Sequence, residues 1–122
     1  KECIDSCNYM SSILDHKTEY LFKQQDLNKF DLQMFLNSID IDKVDVIFLL
    51  SLGSWIKNWR ELYTQSLVYS DVIILETNND IEGKPQLDFF KSLKCSITLL
   101  SDTYNDDTTG NYGRKTYILK NI

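Results

Sequence analysis

Polar and aromatic side chains lie at the ends of two apolar segments, where they could bind a small molecule. Ser51 follows the first segment and Trp55 comes shortly after it, while Glu76 and Asn78 lie at the end of the second. In parallel α/β sheets, ligands bind just beyond the carboxyl ends of the strands. A hydroxyl, a carboxylate and an amide there could orient polar groups of a ligand, and an indole could stack on a ring. We therefore expect the functional site at these two segment ends.

The other reactive residue types predict neither a nucleophilic nor a metal centre. Ser51 does not stand in a G-x-S-x-G motif and has no base beside it in the sequence. His16 is the only histidine, and it has no neighbouring ligands for zinc. The acidic segment 102–107 lacks the spacing of a calcium loop. We expect no metal.

Composition excludes several classes of protein. The 122 residues are enough for one domain, 1–122, and the net charge of −5 disfavours non-specific binding to nucleic acid. The odd cysteine count, Cys3, Cys7 and Cys95, argues against a disulfide framework and for a reducing, cytoplasmic location. No apolar run approaches the ~20 residues that span a bilayer, so we expect no membrane partner.

The elements that position the site can be predicted from periodicity. The apolar, β-branched run 44–50 predicts a strand buried on both faces, which is typical of parallel sheets covered by helices. The other predicted strands are 18–24, 71–76, 96–101 and 114–120, and the predicted helices are 2–14, 31–36, 55–69 and 87–93, with polar loops at 77–85 and 102–113.

This order predicts an α/β fold with a doubly wound, mostly parallel sheet. The last two strands are joined by a loop alone, which is too short for a parallel crossover, so we expect them to pair antiparallel.

A parallel sheet that ends in an antiparallel pair resembles the carboxyl half of the Rossmann-like, class I S-adenosylmethionine-dependent methyltransferases. The run 44–52 followed by Trp55-Ile56 resembles the family's fourth strand and the loop after it. The segment 22–27 resembles the end of its third strand, and 71–76 resembles its fifth. The segments 96–101 and 114–120 resemble its sixth and seventh strands, so the similarity covers nearly the whole chain.

The resemblance implies S-adenosylmethionine as cofactor, a methyl acceptor of unknown class as substrate, and a set of site residues. The implied cofactor-binding residues are Asp26, Leu27, Leu50, Ser51 and Leu52, and the implied substrate-binding residues are Trp55, Glu76 and Asn78.

Each of these positions also has a plainer interpretation. Asp26 is equally suited to cap its own turn. A tryptophan at position 55 more often packs into the core. Glu76 is equally suited to be a solvated or capped strand terminus.

The family's glycine-rich loop after its first strand has no counterpart here, because the four glycines include no G-x-G. Lys1-Glu2-Cys3-Ile4 resembles the opening of the helix after the second strand. We therefore interpret the chain as lacking the first two strands of the fold. That would leave a sheet edge exposed, and we expect self-association through it. We also expect this chain by itself to bind the cofactor poorly and to be inactive.

Two other functions remain open. The chain could be a non-catalytic Rossmann-like interaction module, in which case the lack of evident catalytic residues would reflect a lack of catalysis. A nicotinamide-dependent enzyme is a further alternative, which the antiparallel final strands disfavour.

Overall fold

The computed structural model describes residues 2–14, 19, 21–102 and 113–122. The α-helices are α1 Glu2–Leu14, α2 Leu32–Asn37, α3 Trp59–Tyr69 and α4 Asp80–Ser92; the strands are β1 Val44–Leu50, β2 Ser70–Glu76, β3 Ser96–Ser101 and β4 Thr116–Lys120; and short 3₁₀ helices span Leu27–Lys29 and Gly53–Trp55.

The strands form one mixed sheet in the order β1-β2-β4-β3. β1 and β2 are parallel, with Phe48 opposite Ile74, so both strands finish at the same edge of the sheet. β4 lies antiparallel between β2 and β3, which confirms the predicted antiparallel pairing of the last two strands. The α/β class is thus confirmed, although among the described residues only one of the three strand pairs is parallel.

The core lies on one face of this sheet. Alternate strand residues point to opposite faces, so Leu49, Ile73, Leu75 and Leu119 line the same side. They form one buried cluster with residues of α3 and α4, among them Leu62, Tyr63, Leu67 and Phe90. Both helices therefore cover the same face.

The opposite face of the sheet is apolar but largely open. Val46, Phe48 and Leu50 of β1 are 42%, 62% and 49% exposed. The next residues in the same rows, Ile74 of β2 and Ile118 of β4, are half-buried. The prediction that 44–50 is buried on both faces is therefore wrong, because only the Leu49 side of β1 is covered.

The predicted strand 18–24 is wrong over residues 21–24, which are extended without pairing to the sheet, while residues 18 and 20 lie outside the described residues. Residues 21–24 have a composition typical of a strand, but they pair with no strand among the residues that the structure describes. Likewise Arg114 and Lys115 precede β4 rather than opening it.

Two helix starts also differ from the prediction. α3 begins at Trp59 rather than at 55, because Gly53–Trp55 forms a separate 3₁₀ turn. α4 begins at Asp80, since the side chain of Asn79 accepts a hydrogen bond from the backbone N–H of Glu82 over 2.8 Å and caps the helix. Pro85 lies inside this helix, in a segment predicted to be a loop.

Helix α1 carries apolar residues at helical spacing, and none of those between residues 2 and 13 is fully buried. Tyr9, Met10 and Ile13 are 67%, 48% and 58% exposed. Among the described residues, no helix is both long and apolar enough to cross a membrane.

Candidate functional site

The chain leaves β1 through a backbone conformation that is rare for a side-chain-bearing residue. Ser51 has φ of 54°, in the left-handed region that favours glycine. Asp40 and Lys94 share this conformation, but each follows the end of a helix, where it is common. At the end of a strand the same conformation turns the chain sharply over the sheet edge, and such strain clusters at functional sites.

The Ser51 side chain is held by a carboxylate that also lies near a guanidinium. The Ser51 hydroxyl donates to Glu76 Oε1 over 2.5 Å, and the Ser51 N–H donates to the Glu76 carbonyl over 3.0 Å. Arg114 Nη1 lies 3.7 Å from the same Glu76 Oε1. Since Glu76 is engaged by both residues, it positions Ser51 rather than standing as a solvated terminus.

Asn78 joins the ends of the two parallel strands. Its side-chain amide donates to the Ser51 carbonyl over 2.8 Å, and its side-chain oxygen accepts from the Ser54 N–H over 3.3 Å. Asn78 is only 9% exposed. Because a buried amide costs free energy unless it is hydrogen-bonded, these contacts fix the path of the chain from Ser51 to Ser54.

A cavity of about 370 Å³ opens at this edge of the sheet, lined by Ser54, Trp55, Asn78, Asn79, Glu82 and Arg114. The Ser54 hydroxyl donates to Glu82 Oε2, which connects the turn after β1 to the first turn of α4. Trp55 is 79% exposed, so the interpretation that it fills the core is wrong.

The floor beneath this turn is tightly packed. A side chain at Gly53 would place its Cβ 2.4 Å from Gln86 Nε2 and 2.9 Å from the Tyr63 hydroxyl oxygen. Tyr63 donates to Gln86 Oε1 over 3.2 Å and stacks on Phe90 with ring centroids 5.2 Å apart. Burial raises the pKa of the Tyr63 phenol far above its usual value, so it stays a neutral donor.

The segment after residue 25 lies near the same edge. The Asp26 carboxylate accepts from the Asn28 N–H over 3.0 Å and caps the first 3₁₀ helix, which is the plainer of its two interpretations. The side-chain oxygen of Asn28 then accepts from the Lys57 N–H over 2.8 Å. Leu27 packs against the core. The hydrogen bond between Asn28 and Lys57 places Asp26 and Leu27 beside the chain that follows Trp55.

The structure brings together most of the residues predicted from sequence. Ser51, Glu76 and Asn78 form one network, and Trp55 and Asn78 line one cavity. Leu50 and Leu52 diverge: Leu50 lies on the open face of the sheet, whereas Leu52 packs against the core.

Arg114 and Glu82 were not predicted as site residues. Arg114 comes from the segment just before β4, which is distant in the sequence and which no local pattern connects to β1. Glu82 lies three residues after the helix cap Asn79, a spacing that the sequence does show.

A second charged pair lies beyond Thr77, where β2 ends. Lys115 Nζ lies 2.9 Å from Asp80 Oδ1, and the hydrogen bond and charge of Asp80 raise the pKa of that lysine. The Lys115 N–H donates to Thr77 Oγ1 over 3.2 Å. This pair ties β4 to the start of α4 and keeps Arg114, its neighbour, at the cavity.

The residues that the structure describes contain no group of three or more histidine, cysteine, aspartate or glutamate side chains that could hold a metal ion. His16 and residues 103–107 of the acidic segment lie outside those residues.

Comparison with protein-family models, with curated proteins and with solved structures finds no match for this chain.

Proposed function

We propose that the chain is the carboxyl-terminal portion of a class I S-adenosylmethionine-dependent methyltransferase. The observation that carries the proposal is the pair of parallel strands whose carboxyl ends meet at one polar cavity, in a sheet completed by antiparallel strands. Ligands bind at such an edge in open α/β sheets.

In-line methyl transfer requires little from the protein beyond holding two reactants close and aligned. The network of Ser51, Glu76 and Asn78 is suited to this, because it fixes the backbone at the strand ends by hydrogen bonds rather than presenting a free acid or base. S-adenosylmethionine would supply the electrophilic methyl group.

The described residues would supply part of the proposed cofactor site. The turn from Leu50 to Leu52 would form its floor. The Asp26 carboxylate, exposed beside the chain that follows Trp55, would accept a hydrogen bond from the adenine amino group.

None of the three described glycines forms the backbone cradle by which the family's glycine-rich loop contacts the cofactor. The space that a Cβ would take is filled at Gly53 by Gln86, at Gly83 by Thr77 and at Gly113 by Asp80. None of them presents a bare backbone to a ligand. The proposal therefore requires a glycine-rich loop from another strand, and the unpaired edge of β1 is where additional strands would join the described sheet.

The gene sequence provides the first test. We expect the reading frame to continue upstream of Lys1 with a strand and a G-x-G-type loop within about 60 residues, as in nucleotide-binding units. A reading frame that contains no such strand and loop would contradict the proposal.

The open apolar face favours a second candidate, a non-catalytic module that associates with a second copy of this chain. β1 is an edge strand among the described residues and carries Val46 and Phe48 exposed on its open face. It contains no proline, and its only charged residue is Asp45, so it has little of the protection usual at sheet edges.

Sedimentation equilibrium tests this candidate. We expect the chain to form dimers at micromolar concentration and Phe48→Lys to shift it toward monomer. Val68→Lys, at an exposed position on α3, is the matched control. A monomer over the whole concentration range would contradict self-association.

A further inference from the structure

We propose that the cavity beside Trp55 binds a ligand with a protonated amine, and that the exposed indole and the Glu82 carboxylate recognise its positive charge. Binding of the amine is independent of methyl transfer. Its identification as the methyl acceptor rests on the proposed function.

The first argument is the exposure of Trp55. Its side chain is 79% exposed at the rim of the cavity, whereas Trp59, four residues later, contacts Tyr63 and Phe89 at centroid distances of 5.2 and 5.3 Å. An indole is the aromatic ring that attracts cations most strongly. Trp55 thus offers the cavity a ring face that the core does not use.

The second argument is the charge of the lining. The charged groups that line the cavity are the Glu82 carboxylate and the Arg114 guanidinium. Arg114 Nη1 lies 3.7 Å from Oε1 of Glu76, which is outside the lining. Arg114 lies against Glu76, whereas Glu82 is held by the neutral hydroxyl of Ser54. Glu76 therefore offsets the charge of Arg114, whereas no ion pair within the described part of the chain offsets Glu82, and an anionic ligand would meet repulsion beside Glu82.

The third argument is the fixed geometry of the Glu82 carboxylate. Asn79 caps the helix turn that bears Glu82, and Ser54 occupies Oε2. Because Asn78 binds the Ser54 N–H, the hydroxyl donor is itself held in place. Glu82 Oε1 is left to accept a hydrogen bond from an ammonium group, which is stronger when both partners are charged.

The experiment follows the two indole N–H signals in ¹⁵N-labelled chain by NMR, assigned with Trp59→Phe. Benzylamine, benzyl alcohol and benzoate at neutral pH share one ring and differ in charge. We expect benzylamine to shift the Trp55 signal saturably, benzyl alcohol to bind more weakly and benzoate to bind most weakly. The Trp59 signal should not move.

Glu82→Gln should weaken the binding of benzylamine about two- to fivefold, as expected for the loss of one exposed charge contact. The affinity for benzyl alcohol should not change. Glu61→Gln removes an equal charge from an exposed position on α3 and should change neither. An unchanged amide spectrum elsewhere shows that each variant is folded.

An unmoved Trp55 signal, tighter binding of benzoate, or equal affinities for amine and alcohol would each overturn the proposal. No cofactor is used in this titration. A failure of cofactor binding would therefore contradict methyl transfer and leave the amine site standing. A failure of benzylamine binding would contradict the amine site and leave methyl transfer standing.

Discussion

The side-chain amide of Asn78 donates to the backbone carbonyl of Ser51 over 2.8 Å and so ties the end of β2 to the end of β1. The same side chain accepts from the Ser54 N–H, so it spans the whole turn after β1. Asn78 therefore helps to hold the turn that bears Trp55.

Asn78→Ala should lower the free energy of unfolding by about 1–3 kcal/mol, because it leaves the partly buried Ser51 carbonyl and the Ser54 N–H without their side-chain partner. Urea denaturation measures this directly. Asn58→Ala is the matched control, since the Asn58 side chain makes no capping hydrogen bond, and it should cost less than half as much. Equal losses in the two variants would contradict a bridging role for Asn78.

Ser51 should show the reverse of the usual preference for alanine over glycine. Both Ser51→Ala and Ser51→Gly remove the hydroxyl that donates to Glu76, but only glycine relieves the left-handed conformation. We expect the glycine variant to unfold with about 1 kcal/mol more free energy than the alanine variant. The left-handed assignment fails if alanine is the more stable of the two.

Gly53→Ala should destabilise the chain by about 1–3 kcal/mol, because the added methyl group overlaps Gln86 and the Tyr63 hydroxyl. Gln86→Ala makes room for most of that methyl group. In the double variant we expect the loss to be smaller than the sum of the single losses by at least about 0.5 kcal/mol. Strict additivity in thermal or urea unfolding would contradict the close packing of Gly53 on Gln86.

Stability should fall at alkaline pH through Tyr63. Its folded pKa is raised by burial, so the unfolded chain loses this proton first, at its ordinary value of about 10. The contribution is therefore complete below pH 10 and is lost as the pH rises from there toward the folded pKa. Tyr63→Phe should lose less stability between pH 9 and pH 11 than the native chain, as measured by urea unfolding. Parallel losses would show that Tyr63 is not the group responsible.

Four of the five strands predicted from local patterns are present in the sheet, whereas the segment 18–24 and the surroundings of the strands were predicted poorly. β3 has the predicted bounds and β2 differs by one residue, because β-branched runs between turn residues are a strong local signal. The exposure of Phe48 could not be predicted, since an apolar strand shows only that a face can be covered, not that it is.

The site shows the same division. Asn78 and Ser51 were predicted because both follow strands directly, whereas Arg114 reaches the cavity only through the pairing of β4 with β2. α4 was predicted too short because Gly83 and Pro85 are typical of loops. Gly83 instead allows the helix to approach Thr77, where a Cβ would lie 2.7 Å from the Thr77 Cβ.

Calorimetric titration with S-adenosylmethionine tests the central claim most directly. The polypeptide from the whole reading frame should bind it with a micromolar dissociation constant. Asp26→Asn should weaken that binding about tenfold, as expected for loss of a charge-assisted hydrogen bond. The 122-residue chain alone should give little or no heat. Micromolar binding by the chain alone, or none by the whole polypeptide, would contradict the account.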